Sequence, residues 1–389
     1  MKPDAFASTE RGIVQRDPTG FWAFHPNPLP RHFDLPSDLA KLLDEATGAV
    51  HRLGGVGRLI PNPHLLIGPH LVLEAVLSSR IEGTKTDVGE LLRFEAGQTF
   101  DPAGANDARE VQNYVSALEH GIKRVKDGFP VSTRLLRDMH RILLSDVRGQ
   151  HRLPGELRDS PVWIGGASLE DAVFVPPPRD VMRSALDDFE SFLHEDELPL
   201  LVQLALAHYQ FEVIHPFLDG NGRIGRLLIP LMLTLRGALP QPLLYLSAFF
   251  EQHRAEYYDH LLVTSQTGDL IPWIQFFLRG VRDQARDAEE RTVRIVELQT
   301  DLRRELLDEG RSNSVVRLAE SLFARPIVTA AQVEKLLDVT RPTAHAAIAV
   351  LEDRGDLVEI TGRGRGKVYE ASAILKAVYG PIDLGDDSR

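Results

Sequence analysis

Apolar residues recur three and four positions apart along most of this chain, which predicts helices. By that spacing Leu39 to Leu53 is a helix, followed by a break at Gly54-Gly55-Val56-Gly57. His70 to Ile81 is a second helix, stopped by Gly83, and Ala108 to Val125 and Ser132 to Leu144 continue the pattern. Helices resume at about Arg179, Pro199 and Arg223, then span Ala255 to Val263 and Ile271 to Arg304. Between them the period changes. Val162, Trp163 and Ile164, then Gly165-Gly166, then Val173, Phe174 and Val175 predict a β-hairpin, which Pro176-Pro177-Pro178 ends. Residues 1–35 carry Pro, His and Phe without periodicity and predict an extended arm. There is no internal repeat.

Beyond Asn313 the pattern shifts again. Ala330 to Leu337, a turn at Asp338-Val339-Thr340, and Pro342 to Leu351 form a helix-turn-helix pattern. Val358 to Ile360, the stretch Thr361 to Gly366, and Lys367 to Tyr369 predict a hairpin, so the unit has the outline of a winged helix. Thr340 is placed to cap the second helix, with Pro342 in its first turn. The expected fold is mainly α with one β-hairpin and a C-terminal winged helix. The expected division is 1–107, 108–310 and 311–389.

Composition narrows the function. At 389 residues the chain has ample core for two or three domains. A net charge of −12 argues against broad binding to nucleic acid or anionic membrane. Without cysteine there is no disulfide framework, thiolate zinc site or thiol catalysis. The first residues lack an apolar signal-peptide core, and no apolar run reaches the length of a membrane span. A cytoplasmic location is the expectation compatible with these features.

The densest chemistry lies in His215-Pro216-Phe217-Leu218-Asp219-Gly220-Asn221-Gly222-Arg223-Ile224-Gly225-Arg226. Gly-Asn-Gly tolerates positive φ and close backbone approach, so several N–H groups can converge on one anion. The apolar run Ile224, Leu227, Leu228, Leu231 and Met232 starts a helix there, which places the turn at a helix N-terminus. Arg223 and Arg226 share a helix face, and guanidinium forks match phosphate oxygens in pairs. His215 adds a base that titrates near neutrality. A solvated loop before an arginine-rich helix would not combine all of these.

The stretch resembles the signature of the Fic (filamentation induced by cAMP) family, His-x-Phe-x-Asp/Glu-Gly-Asn-Gly-Arg-x-x-Arg, and meets every fixed position. The resemblance implies a Fic-type helical core that moves AMP from ATP to a Tyr, Thr or Ser hydroxyl of a target protein. It implies His215 as general base and Asp219 as the ligand of Mg²⁺ on the α- and β-phosphates. Gly220, Asn221 and Gly222 would form the anion hole. Arg223 and Arg226 would hold the β- and γ-phosphates, with Ile224 and Gly225 between them in the nucleotide site. Relatives that phosphorylate carry Lys in place of Gly222, so Gly222 favours AMP transfer. Removal of AMP, or transfer of another nucleotide or phosphate, remains an alternative on the same residues.

Ser78-Ser79-Arg80-Ile81-Glu82-Gly83 places Ser78 and Glu82 four apart at a helix end. It resembles the family's inhibitory motif, Ser/Thr-x-x-x-Glu-Gly/Asn. That likeness implies that Glu82 occupies Arg226 in place of the γ-phosphate, with Ser78 and Gly83 completing the motif. In some relatives the same glutamate supports removal of AMP. The 162–175 hairpin resembles the family's flap, which presents the target, and Trp163, Ile164 and Val175 would also cover the nucleotide. Gln252 and His253 occupy the segment that resembles the family's adenosine-lining region. His208 and Tyr209, one to two turns before His215, are expected to be satisfied core groups.

The C-terminal unit has two readings. One is DNA binding through the 342–351 helix, with Arg363, Arg365 and Lys367 on phosphates. The other is a protein-interaction or homodimerisation module. From Ala330 to Ala377 seven basic residues face seven acidic ones, a neutral balance with a basic wing tip. Expected partners are therefore ATP, Mg²⁺, a target protein or the chain's own hydroxyls, a possible second copy, and possible DNA, with no membrane.

Overall fold

The structure is a computed structural model, and it describes residues 1–59, 64–85, 87–97, 102–147, 151–362 and 366–380. It is mainly helical. An N-terminal hairpin of β1 (Gly12–Arg16) and β2 (Trp22–Pro26) precedes α1 (Ser37–Leu59), α2 (His64–Ile81) and α3 (Val88–Glu95). Next come α4 (Pro102–Lys126), α5 (Thr133–Leu143), α6 (Arg179–His194), α7 (Leu200–Ile214) and α8 (Asn221–Leu235). The short α9 (Ser247–Gln252) and α10 (Arg254–Thr267) lead into the long α11 (Ile271–Asp308).

The C-terminal part comprises α12 (Asn313–Ser321), β3 (Ile327–Thr329), α13 (Ala330–Leu337), α14 (Arg341–Asp353), β4 (Val358–Glu359), β5 (Val368–Glu370) and α15 (Ser372–Tyr379). Its three strands lie in the order β3-β5-β4, each pair antiparallel. The two helices and the hairpin therefore stand where the pattern placed them. Arg363 and Arg365 lie outside the described residues.

α7 fixes the centre. Nearly every residue from Leu201 to Ile214 is buried, as expected of a helix that is apolar on all sides. α8 packs beside it and is buried from Ile224 to Leu233. α4 and α5 cover α8, α6 and α11 flank α7, and α1 lies along α11. α2 bridges α4 and α9, so the Ser78–Gly83 stretch at its end faces the start of α8.

Several local expectations are corrected. The Gly54–Gly57 stretch does not break α1, which runs on to Leu59. A Cβ at Gly57 would stand 2.9 Å from Leu243 Cδ1, and one at Gly54 3.4 Å from Ala238 O. These glycines admit the loop before α9 to the helix surface instead of ending the helix. The arm at residues 1–35 contains the β1–β2 hairpin. Its turn is closed by the Asp17 carboxylate, which accepts from the N–H (2.8 Å) and hydroxyl (2.5 Å) of Thr19.

The 162–175 hairpin is reduced to a single bridge, Ile164 to Phe174, with Ile164 N–H donating to Phe174 O at 2.9 Å. Beyond it Val175 O already accepts from Phe24 N–H of β2, and Pro176 to Pro178 have no N–H to offer. Thr340 makes no side-chain cap, because its hydroxyl pairs with Thr343 Oγ1 at 2.9 Å. Helices α3, α9, α12 and α15 were absent from the expectation. For α3 a signal existed, since Asp87 and Glu90 form a complete capping box.

Candidate active site

His215 ends α7 in a left-handed conformation, φ 49° and ψ 62°. For a non-glycine residue this costs about 1–3 kcal/mol, which the surroundings must offset. They do so through Arg158. Its buried guanidinium donates from Nε to His215 O at 2.8 Å, and from Nη2 to Ile214 O at 3.3 Å and Pro177 O at 2.6 Å. The imidazole Nδ1 lies 3.2 Å from Glu212 O. With the proton on Nδ1 donated there, Nε2 is left as the acceptor. Burial, then the charge of Arg158, push the ring down to about 4, so it is neutral at physiological pH.

The loop after His215 is shaped by two side chains. Asn221, buried, accepts from Phe217 N–H and donates to Phe217 O, both at 2.8 Å. Its amide is thus spent on closing the turn, and only its backbone N–H is left for an anion. His140 on α5 stacks on Phe217 with ring centroids 3.9 Å apart. Its Nδ1 accepts from Gly155 N–H at 2.8 Å, which leaves Nε2–H to donate to Asp219 O at 2.9 Å. Gly220 precedes α8 at φ 77°, a conformation that suits glycine. The Asp219 carboxylate accepts Gly220 N–H at 2.6 Å and stands 3.6 Å from Arg223 Nη2, with its side chain 45% exposed.

Both motif arginines are buried. Arg223 lies 3.6 Å from Glu110, and its Nε and Nη1 have no hydrogen-bond partner among the described residues. Buried donors without a hydrogen bond beside a helix N-terminus suit an anion. Arg226 is engaged through Nε and Nη2. Its Nε donates to Ser78 Oγ at 2.8 Å, and its Nη2 to Ser78 O at 3.0 Å and to Glu82 Oε1 at 2.7 Å. Burial opposes the charges of this pair. Their mutual attraction outweighs it, holding the Glu82 carboxyl below and the Arg226 guanidinium above the ordinary range. A Cβ at Gly222 would overlap the Glu82 carboxylate. Glu82 therefore lies on the surface of α8 where the motif's second glycine leaves room. Gly83, at φ 94°, lets the chain turn away immediately afterwards.

These residues open onto a cleft of about 540 Å³. Glu82, Gly222, Arg226 and His215 form its polar end. Trp163, Ile164, Val173 and Phe174 form one wall, and Arg254, Tyr257, Tyr258 and Leu261 of α10 the other. Val175 does not reach the cleft. It is buried with Ala23 and Ala172 beneath the loop, because β2 captures its carbonyl. Gln252 and His253 do not line the cleft either. Gln252 is exposed at the end of α9, while His253 bonds Phe249 O through Nδ1 and packs on the Phe249 ring. The residues from this segment that do face the cleft begin at the next position, Arg254, and continue about one turn on at Tyr257.

His208 and Tyr209 are core groups as expected. His208 reaches Gly225 O at 3.1 Å and Tyr257 Oη at 2.8 Å, and Tyr209 Oη pairs with Ser265 Oγ at 2.9 Å. Sequence reasoning missed Glu212. Its Oε1 is buried without a hydrogen-bond partner, and burial pushes its carboxyl up to about 8. A Cβ at Gly225 would overlap it, so the glycine between the two arginines makes space for this carboxyl. It missed Arg158 and His140 too. No short motif marks either one, since each acts on backbone atoms far away in sequence.

Comparison with known proteins agrees with this geometry. Residues 40–123 match the profile described as Fic/DOC family N-terminal, and residues 130–233 that of the Fic/DOC family. A protein adenylyltransferase Fic of Aedes aegypti is 37% identical over 125 residues, 31% of this chain and 22% of the relative. The one from Culex quinquefasciatus is 32% identical over 149 residues, 38% of this chain and 27% of the relative. The chain thus spans less than a third of the length of these two curated relatives. Among solved structures, a Fic family protein from Desulfovibrio desulfuricans superposes with a TM-score of 0.56 at 21% identity, covering 87% of this chain and 97% of that one. At that identity the likeness establishes the fold. Among the described residues no helix is long and apolar enough to cross a membrane.

Proposed function

Residues 40–123 and 130–233 belong to the Fic/DOC family, and from that premise we propose that the chain is a protein adenylyltransferase held in check by Glu82. It moves AMP from ATP to a Tyr, Thr or Ser hydroxyl of a target protein. The observation that carries the reading is the Arg226 guanidinium, bonded to Glu82 at 2.7 Å at the mouth of an α8 N-terminus whose other arginine keeps Nε and Nη1 without a hydrogen bond among the described residues. The functional division is 1–107 for the inhibitory region, 108–310 for the catalytic core, and 311–389 for a winged-helix unit.

In the reaction the target hydroxyl oxygen attacks the α-phosphorus of ATP. The bond from that phosphorus to the bridging oxygen breaks, and pyrophosphate leaves. His215 Nε2, the free acceptor of the ring, takes the hydroxyl proton. The backbone N–H groups of Asn221 and Gly222 at the start of α8 and the two guanidinium groups face the polyphosphate and offset its charge. Asp219 is the residue that fits a divalent cation. It is a half-exposed carboxylate with one oxygen held by Gly220 N–H. Mg²⁺ is commonly bound through one or two carboxylates plus substrate phosphates. The described residues hold no richer cluster of metal-binding side chains. A cation bound there would supply further neutralisation of the phosphates.

On the Ile164 side of the Ile164–Phe174 bridge, which β2 does not claim, the 162–175 loop offers backbone for a target segment to pair with. The Glu82 carboxylate occupies one fork of Arg226, so ATP binds fully only when it leaves. The test is incubation of the wild type and of Glu82→Gly with α-labelled ATP, Mg²⁺ and a cell lysate, followed by identification of labelled proteins by mass. Label on protein hydroxyls in the variant is the expected result. Label released only as free AMP would point instead to hydrolysis of nucleotide or to removal of AMP.

A further inference from the structure

We propose that Arg158 is a positioning residue that locks His215 and both ends of the 160–177 loop into one unit, setting the base against the hydroxyl that the loop presents. The inference rests on the reading of His215 and the loop given above.

Arg158 is 2% exposed, and its hydrogen bonds all run to backbone oxygens. Its Nη1 reaches Ser160 O at 3.4 Å, where the loop leaves, and its Nη2 reaches Pro177 O at 2.6 Å, where the loop returns. The same guanidinium holds Ile214 O and His215 O, and its own N–H donates to Pro216 O at 3.0 Å. Five carbonyls from three segments thus converge on one residue. Without it, the left-handed turn at His215 loses its external support, and the loop loses its tie to the base.

A guanidinium suits this task because its planar fork directs several donors at fixed angles, which an ammonium cannot reproduce. Its charge also acts on the ring. Burial pushes Arg158 down only to about 10, so it remains a cation at neutral pH behind the His215 imidazole. The other charges felt at His215 are Glu82 beyond α2 and Asp219 on the following turn, both of which favour protonation. Arg158 opposes them and keeps Nε2 ready to accept a proton.

The experiment compares Arg158→Lys and Arg158→Gln, each in the Glu82→Gly background. Three readouts are taken: ATP affinity, label incorporated from α-labelled ATP into lysate proteins or the chain itself, and the ¹⁵N-detected titration of the His215 ring. Assignment of that signal comes from His215→Ala. Both variants are expected to bind ATP as the parent does, because Arg158 does not face the phosphates. Both should lose transfer by roughly 10²-fold through misplacement of the base. Arg158→Gln should also raise the ring's titration toward its ordinary range, moving the acid limb of the pH–rate profile to higher pH. Arg158→Lys should leave that titration low. A purely structural role would not separate the Lys and Gln variants by charge. Equal ring titrations in parent and Gln variant, or undiminished transfer in either variant, would overturn the proposal. If the parent labels no protein while the ring still responds to charge, the positioning role stands and the transferase reading fails.

Discussion

The two ends of the cleft differ in how much of their polar equipment is already partnered. At the α8 end the Arg226 guanidinium binds Ser78 twice and Glu82 once, and the Asn221 amide closes the motif loop on itself. At the other end a single bridge joins residues 164 and 174, and Trp163 and Val173 stand 45% and 49% exposed. The first end is prepared for an anion but occupied by a carboxylate. The second is a loop held by one bridge, with exposed apolar side chains beside it. On the proposed function, nucleotide binding is controlled by a group that must leave, while target binding depends on an edge left open. His215 belongs to the first end, and Arg158 behind it is tied to both the motif and the loop.

The largest expected effect comes from the base that Arg158 holds. His215→Ala should slow transfer by about 10²–10⁴-fold through loss of the general base. ATP affinity should change little, because the imidazole acts on the attacking hydroxyl and not on the phosphates. Isothermal titration with ATP alongside a labelling time course checks both halves. A variant that labels at the parent rate would remove His215 from the chemistry.

Next in size is the occupied end. Glu82→Gly frees one guanidinium fork, and a charge-assisted contact to phosphate is worth about 1.5–3 kcal/mol. That corresponds to roughly 10–100-fold in ATP affinity or labelling. In Arg226→Ala the same Glu82→Gly change should give no gain, since both residues act through one contact. An equal gain in the double variant would show that Glu82 restrains something other than the phosphate site.

The fold was legible where periodicity is strong and local. The spacings of α2, α5, α10 and α11 predicted their positions to within a few residues, apart from the start of α2. The candidate motif stood out because its twelve residues are contiguous. What escaped was set by contacts remote in sequence. Gly54 and Gly57 look like helix breakers until the Ala238 to Leu243 loop is seen lying against them. Val175 alternates like a flap residue, yet β2 claims its carbonyl and turns it inward. Arg158, His140 and Glu212 carry no motif of their own, because they serve backbone atoms and glycine-made spaces elsewhere. The Asp17 and Asp87 turns, by contrast, had readable signatures in Asp-Pro-Thr-Gly and in the Asp87–Glu90 box.

The smallest effect belongs to the open end. Trp163 lines the cleft one residue before the Ile164–Phe174 bridge, and nearly half of its surface is free to be covered by a bound partner. Covering about 40–50 Å² of apolar surface is worth roughly 1 kcal/mol. Trp163→Ala should therefore raise the KM for a protein acceptor by about fivefold and leave kcat nearly unchanged. If the indole instead covers the nucleotide, the rise appears in the KM for ATP, so steady-state kinetics with each substrate varied in turn decides which it meets. Combined with Glu82→Gly, the two factors should multiply, because the ends share no side-chain partner. A departure from multiplication would mean that release of Glu82 reaches the loop, with the Arg158 tie as its route.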